Sequence, residues 1–227
     1  MSMLSKVWRA MLANPFRLLP VSFAVMIGLG TLLLLLPQAT VAGRKTTVLD
    51  ALFTATSAVC VTGLSVVDTA THWTGFGQGM ILLLIQIGGL GIVTVVSIGI
   101  VLLADRIGLS HTRILAADLR VDSYSDVPKL VRNIVLTTVA FEAVFALVLT
   151  ARFFFAHDYE LQTAAVHGVF HSISAWNNAG FALYTDNFLG FASDWFFSIA
   201  VCLAVILGGI GFPVLRTLAV HKFKWRM

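Results

Sequence analysis

Charge is what this chain has least of. Of its 227 residues 11% are Asp, Glu, Lys or Arg, while 58% are hydrophobic and the mean hydropathy is +0.92. A soluble domain carries about 25% charged residues. The shortage excludes an ordinary soluble globule and points to an integral membrane protein. Cysteine is nearly absent too. Cys60 and Cys202 lie in or near apolar segments. Neither has the spacing of a metal ligand, and their positions give no ground for a disulfide, so each reads as a small packed residue. Catalytic signatures are missing: there is no H-E-x-x-H, no G-x-S-x-G and no G-x-x-x-x-G-K-[ST]. Gly88-Gly89 lacks the lysine of a phosphate loop and lies in an apolar span. The chain is therefore not expected to be an enzyme, and no cofactor is implied.

What is there is a set of apolar runs separated by short polar pieces. Leu18–Pro37 reads as a first span. Its uninterrupted part, Leu18 to Leu36, is 19 residues, longer than a signal-peptide core of about 7–15 and close to the roughly 20 a span needs. It is expected to be retained. Thr47-Val48-Leu49-Asp50 fits the start of a capped helix. That helix, Val48–Val59, is too short to cross a bilayer. Phe76–Ala104 is a long span interrupted by Gly88-Gly89-Leu90-Gly91. Val127–Phe155 is the next span, Thr163–Trp176 a second short helix, and Phe191–Val220 the last span, with Gly208-Gly209-Ile210-Gly211 inside it. The units are a segment 1–17, a first repeat 18–104, a connector 105–126 in which Ser110 could cap a short helix, a second repeat 127–220 and a basic tail 221–227.

The net charge of +4 is a topology signal rather than a nucleic-acid footprint. Three bases precede Leu18, five lie from Arg106 to Arg132 and four from Arg216 onward, which makes twelve of the fifteen. Arg44, Lys45 and Arg152 are the other three. Positive charge marks the cytoplasm, so both termini, the connector and the tail are expected there, and the two short helices enter from outside. Backbone that is not helical survives at membrane depth only where protein or water satisfies it. Six acids, Asp50, Asp68, Asp158, Glu160, Asp186 and Asp194, fall on the outer side. As a field they would concentrate cations; as individuals they would be helix caps and solvated loop charges. Asp50, Asp68 and Asp186 are the candidates for an outer vestibule.

The chain also repeats itself. At an offset of 117 residues, Phe53-Thr54-Ala55-Thr56-Ser57-Ala58-Val59-Cys60-Val61-Thr62-Gly63-Leu64 lies over Phe170-His171-Ser172-Ile173-Ser174-Ala175-Trp176-Asn177-Asn178-Ala179-Gly180-Phe181. Phe, Ser, Ala and Gly coincide. A repeat of this length signals a doubled unit. In each copy a short helix runs into a turn, Thr62-Gly63-Leu64 or Ala179-Gly180-Phe181. Glycine accepts φ > 0, which lets consecutive carbonyls point the same way and stand in for an ion's hydration shell. The helix C-terminus adds a negative dipole end, which favours a cation. A lone copy would read as a glycine cap; two matched copies read as an ion-selectivity filter. Asn177 and Asn178 are expected to brace the second turn. The double-glycine patches read as close helix contacts, with a hinge in the gating helix as the compatible alternative. Glu142, alone in an apolar span, is either a functional acid or a structural partner to another polar group. His171 reads as a hydrogen-bonded packing residue.

The stretch Asp50–Gly91, with S-A-V-C-V-T-G-L, Val67-Asp68-Thr69 and L-I-Q-I-G-G-L-G, resembles the first pore repeat of the Ktr/Trk/HKT potassium-uptake family, and within it the membrane subunits of bacterial Ktr systems. His167–Pro213, with H-S-I-S-A-W-N-N-A-G-F and G-G-I-G-F-P, resembles the second. The resemblance implies an all-α membrane protein of two tandem helix–pore-helix–helix repeats. It implies filter positions at Val61, Thr62, Gly63 and Leu64 and at Asn178, Ala179, Gly180 and Phe181, braced by Ser57, Ser174 and Asn177, with potassium as the substrate held by backbone carbonyls. Glycine at position 63 goes with potassium selectivity in that family, and serine with sodium transport. It further implies a homodimer on a cytosolic ring of nucleotide-binding regulatory subunits. The family carries four repeats and this sequence two, without the third repeat's gate loop or the fourth repeat's pore arginine. The expected function is potassium transport across the plasma membrane as half of a pore, the missing two repeats coming from a second copy or a C-terminal half. A non-conducting structural or assembly fragment is the alternative.

Overall fold

The computed structural model describes residues 15–91, 127–211 and Val214, and among these there are helices and no strands. Seven α-helices run in the order α1 (Pro15–Leu34), α2 (Val48–Val59), α3 (Thr69–His72), α4 (Gly75–Gly89), α5 (Val127–Ala156), α6 (Leu161–Trp176) and α7 (Trp195–Ile210), with 3₁₀ turns at Pro37–Ala39 and Leu189–Phe191. The expectations for the connector 105–126, for Ser110, for the tail 221–227, for most of segment 1–17 and for the far ends of the second and last spans lie outside the described residues.

The helix ends follow from local chemistry. The α2 helix has the expected bounds because a capping box fixes its start: the Asp50 N–H donates to Thr47 Oγ1 at 3.1 Å, and the Thr47 N–H and hydroxyl donate back to Asp50 Oδ2 at 2.9 and 2.7 Å. At twelve residues it is about 18 Å long, well short of a hydrocarbon core of about 30 Å. The α6 helix begins two residues before the expected Thr163, at Leu161, without a side-chain cap. The last helix begins at Trp195 rather than Phe191. Asp194 Oδ1 accepts from the Phe196 and Phe197 N–H groups at 3.1 Å each, and Leu189–Phe191 forms a separate 3₁₀ turn. Pro37 opens a 3₁₀ turn just past α1, since its missing N–H costs nothing at a first helical position.

Among the described residues, two hydrophobic cores are larger than the rest. In the first, Ala51, Ala55 and Ala58 put a small-residue face of α2 against α1 and α4, and Leu34, Ile81 and Ile85 close over it. Small residues let helices approach closely. Phe170, Ala179, Phe181 and Leu183, from the second half of the chain, complete this same core. The second core centres on the fully buried Phe153 of α5, with Leu149, Ala164, Phe191, Phe197 and Ala200. The end of α1 is tied to the start of α4: Thr40 and Trp73 form an isolated antiparallel bridge, Thr74 N–H donates to the Ala39 carbonyl at 3.0 Å, and Thr74 Oγ1 donates to the Gln38 carbonyl at 2.6 Å. Large apolar side chains face outward, among them Leu32, Leu136, Leu147 and Phe155. One described helix segment, Val131–Ala156, is by itself long and apolar enough to cross a membrane.

Candidate functional site

The segments after α2 and after α6 have the same backbone, bond for bond. In the first, Cys60 N–H donates to the Thr56 carbonyl (2.9 Å), Val61 N–H to Ala58 (3.2 Å) and Thr62 N–H to Ser57 (2.8 Å). In the second, Asn177 N–H donates to Ile173 (3.1 Å), Asn178 N–H to Ala175 (3.0 Å) and Ala179 N–H to Ser174 (2.7 Å). Every donor and acceptor is displaced by 117 residues. The left-handed residues match as well: Val61 (φ +54°) with Asn178 (+57°), and Gly63 (+76°) with Gly180 (+73°). Thr62 and Ala179, between them, have ordinary negative φ. Backbone that alternates in hand turns successive carbonyl oxygens toward one side. Asn tolerates the left-handed region. A β-branched valine there is a true outlier, of the kind that surrounding structure must impose.

The two turns meet. A Cβ placed on Gly63 would stand 2.6 Å from the Ala179 carbonyl oxygen and 3.0 Å from Gly180 Cα, and one on Gly180 would stand 3.2 Å from Gly63 Cα. Both glycines are thus required twice, by hand and by space. The double-glycine patches sit behind the turns. A Cβ on Gly88 would collide with the Val59 carbonyl at the end of α2, and one on Gly208 with the Trp176 carbonyl at the end of α6. Of the two expected roles, close packing is therefore the one with contacts. Gly91 (φ +79°) and Gly211 (φ +81°) follow the ends of α4 and α7.

The expected bracing residues divide. Ser174 Oγ donates to the Phe181 carbonyl at 2.7 Å. Ser57, its counterpart, has a buried hydroxyl with no hydrogen-bond partner among the described residues, and contributes its backbone carbonyl instead. Asn177 turns away from the turn it precedes. Its Nδ2 donates to the Ile173 carbonyl (2.9 Å), to Glu142 Oε1 (3.1 Å) and to Gln86 Oε1 (3.3 Å), while Gln86 Nε2 donates to Glu142 Oε2 (3.2 Å). Glu142, 7% exposed, thus lies behind the second turn and joins α4, α5 and α6. Ser172 Oγ also donates to its backbone carbonyl at 2.6 Å. Gln86 was not among the expected residues. The signal for it was its solitary place in an apolar run, since buried polar groups must find one another. A cavity of about 170 Å³ lies beside this group, lined in part by Thr137, Thr138, Asn177 and Asn178. His171 is fully buried and has both ring nitrogens in use, Nδ1 against the His167 carbonyl at 2.8 Å and Nε2 accepting from the Leu183 N–H at 3.0 Å. It is a packing residue, as expected. Cys60 and Cys202 are free and exposed rather than packed inside the chain.

Three of the six outer acids, Asp50, Asp68 and Asp194, have structural duties. Asp50 sits in the capping box, and the Thr47 hydroxyl and amide hold its carboxyl below the usual range. Asp68 caps α3 through the Ala70 N–H at 3.0 Å and accepts from Thr71 Oγ1 and Thr185 Oγ1 at 2.8 Å each. Burial alone would raise its pKa; these hydrogen bonds and the charge of Arg44 outweigh it and leave the carboxyl below its ordinary value. Asp194 is bidentate to Arg152 at 2.8 and 3.0 Å and also meets His157 Nε2 at 2.8 Å. Asp186 is exposed.

Residues 6–226 match the family TrkH, described as a cation transport protein. The chain belongs to the TrkH family. It is 39% identical over 202 residues to the Ktr system potassium uptake protein B of Bacillus subtilis, covering 89% of this chain and 44% of that protein. It is 37% identical over 210 residues to the protein of the same name from Vibrio alginolyticus, covering 92% and 45%. It is 35% identical over 212 residues to the potassium/sodium uptake protein NtpJ of Enterococcus hirae, covering 93% and 47%. The chain spans about half the length of these TrkH relatives.

Proposed function

We propose that this chain supplies two of the filter turns of a potassium-conducting pore in the plasma membrane, each turn carried by a helix–pore-helix–helix repeat. The observation that carries the reading is the pair of turns with matched left-handed residues that meet at Gly63 and Gly180. Carbonyls of Val61, Thr62, Gly63 and Leu64, and of Asn178, Ala179, Gly180 and Phe181, would replace the water around a dehydrated cation. The C-terminal ends of α2 and α6 would lend negative potential. Transport down the electrochemical gradient needs no catalytic group. Family membership and the names of the relatives agree with this substrate. The outward apolar side chains suit lipid, and the distribution of Lys and Arg supports a cytoplasmic position for both termini. Since the chain is about half as long as its relatives, the remaining turns come from further sequence or a second copy. A homodimer resting on a cytosolic nucleotide-binding regulatory subunit is the assembly that the resemblance to the Ktr/Trk/HKT family implies.

The test is Gly63→Ser in a complete, conducting assembly. Serine brings a Cβ against Ala179 and Gly180 and a side chain to a left-handed residue, so the turns must spread. The potassium-over-sodium permeability ratio should fall by roughly tenfold, which is about 1.4 kcal/mol of discrimination. A ratio left at the parent value by Gly63→Ser and by Gly180→Ser would remove these turns from the filter.

A further inference from the structure

The two turns meet at Gly63, Ala179 and Gly180, and their halves share a core and the Asn177–Gln86 bond behind the second turn. The loop after the second turn adds a hydrogen-bonded tie on the side of the glycines. Thr185 Oγ1 donates at 2.8 Å to Asp68 Oδ2, a residue of the first half. Asp68 is itself immobilised, because its carboxylate caps α3 through Ala70 and also holds Thr71. Two residues on, Asn187 Nδ2 donates at 3.3 Å to the carbonyl of Gly180. Asn187 has φ +56°, a conformation asparagine adopts readily, and its N–H closes a turn on the Tyr184 carbonyl at 3.1 Å. The base of the loop is anchored to α6. The Tyr184 hydroxyl bonds His167 Nδ1 at 2.8 Å, and the Tyr184 ring stacks on His171 with centroids 5.0 Å apart and planes 5° apart.

We propose that the loop from Tyr184 to Phe188 is a brace that sets the geometry of the outer filter, with Thr185 and Asn187 as its positioning residues. Thr185 fixes how far apart the two turns stand, and Asn187 fixes which way the Gly180 carbonyl faces. Neither touches the ion. The inference rests on the reading of the turns as a filter. The brace is one-sided. In the first half the position 117 residues before Asn187 is Ala70, which has no side-chain donor, and among the described residues no side chain donates to the Gly63 carbonyl. Both turns share the same backbone hydrogen bonds, and the second has in addition a side-chain tie at its glycine carbonyl that the first lacks.

The experiment measures potassium-over-sodium permeability ratios in a complete conducting assembly containing this chain. Thr185→Val removes the donor at constant shape. Asn187→Gly removes the amide while keeping the left-handed backbone. Each should lower the ratio by roughly threefold to fivefold, the size of one lost hydrogen bond, with potassium conductance largely retained. Thr185→Ser should restore it. Asp68→Asn combined with Thr185→Val should cost no more than the larger single change, as one shared bond requires. Thr185 and Asn187 are exposed, so these changes leave the cores untouched. Gly63→Ser, run alongside, separates the two ideas. If it leaves the ratio unchanged, the filter reading fails. If it lowers the ratio while Thr185→Val and Asn187→Gly do not, or if Thr185→Ser behaves as Thr185→Val does, the brace is wrong.

Discussion

Ser57 and Ser174 are the same residue at the same place in two like segments, yet their hydroxyls have opposite fates. Ser174 meets the Phe181 carbonyl in a buried setting, whereas Ser57 is buried without a partner among the described residues. A buried hydrogen bond contributes little net, but stranding one partner costs the whole desolvation of that group. Ser174→Ala should therefore lower stability by about 1–3 kcal/mol, because the Phe181 carbonyl loses its donor. Ser57→Ala should be neutral or slightly stabilising, since it removes an unpaired polar atom. Thermal unfolding of the two variants in detergent checks this. Equal losses would mean that the two serines act alike after all. The repeat in the sequence implied one role for both; the difference comes from their acceptors, which the pattern does not encode.

Among the elements, α2 was legible because its start is written within one turn of sequence, in Thr47 and Asp50 three residues on. The α6 start was less so, since no side chain caps it. The turns were legible from their glycines. The Glu142 group was not. Its members are 35 and 56 residues apart in sequence, and nothing local joins them. The double-glycine patches allowed two roles, and neighbouring glycines on α7 now distinguish them. Gly208→Ala places a methyl against the backbone carbonyl of Trp176, which no rotamer change can relieve. Gly209→Ala meets nothing nearer than 3.7 Å. Expected is a loss of about 1–3 kcal/mol for the first and a gain of up to about 1 kcal/mol in helix propensity for the second. Unfolding midpoints of the two proteins test this, and a comparable loss at both would favour a bending role over packing.

For the whole molecule the decisive fact is that the chain is about half as long as the TrkH relatives compared above. In the proposed pore, two turns would enclose only part of a ring of carbonyls. Left alone in lipid, their open side would expose backbone that must be satisfied, at several kcal/mol per group. The isolated chain should therefore associate. Light scattering in detergent should give a mass above that of the 24.5 kDa monomer, whether as a defined oligomer or as aggregate. A well-folded monomer that admits potassium to liposomes unaided would defeat the half-pore proposal.

The contacts between the two like segments follow a rule of symmetry. Gly63 and Gly180 hold corresponding positions and touch each other; so do Asp68 and Thr185. Where corresponding positions meet, separate identical subunits would have to place the same residue on both sides. Glycine against glycine satisfies that condition. A carboxylate against a hydroxyl does not: identical copies would offer acid to acid or alcohol to alcohol. Carrying both copies on one polypeptide lets them diverge, so that one becomes the donor and the other the acceptor. Duplication within the chain thus gives this fold an inequality between its halves that an assembly of identical single-repeat subunits could not have at these positions.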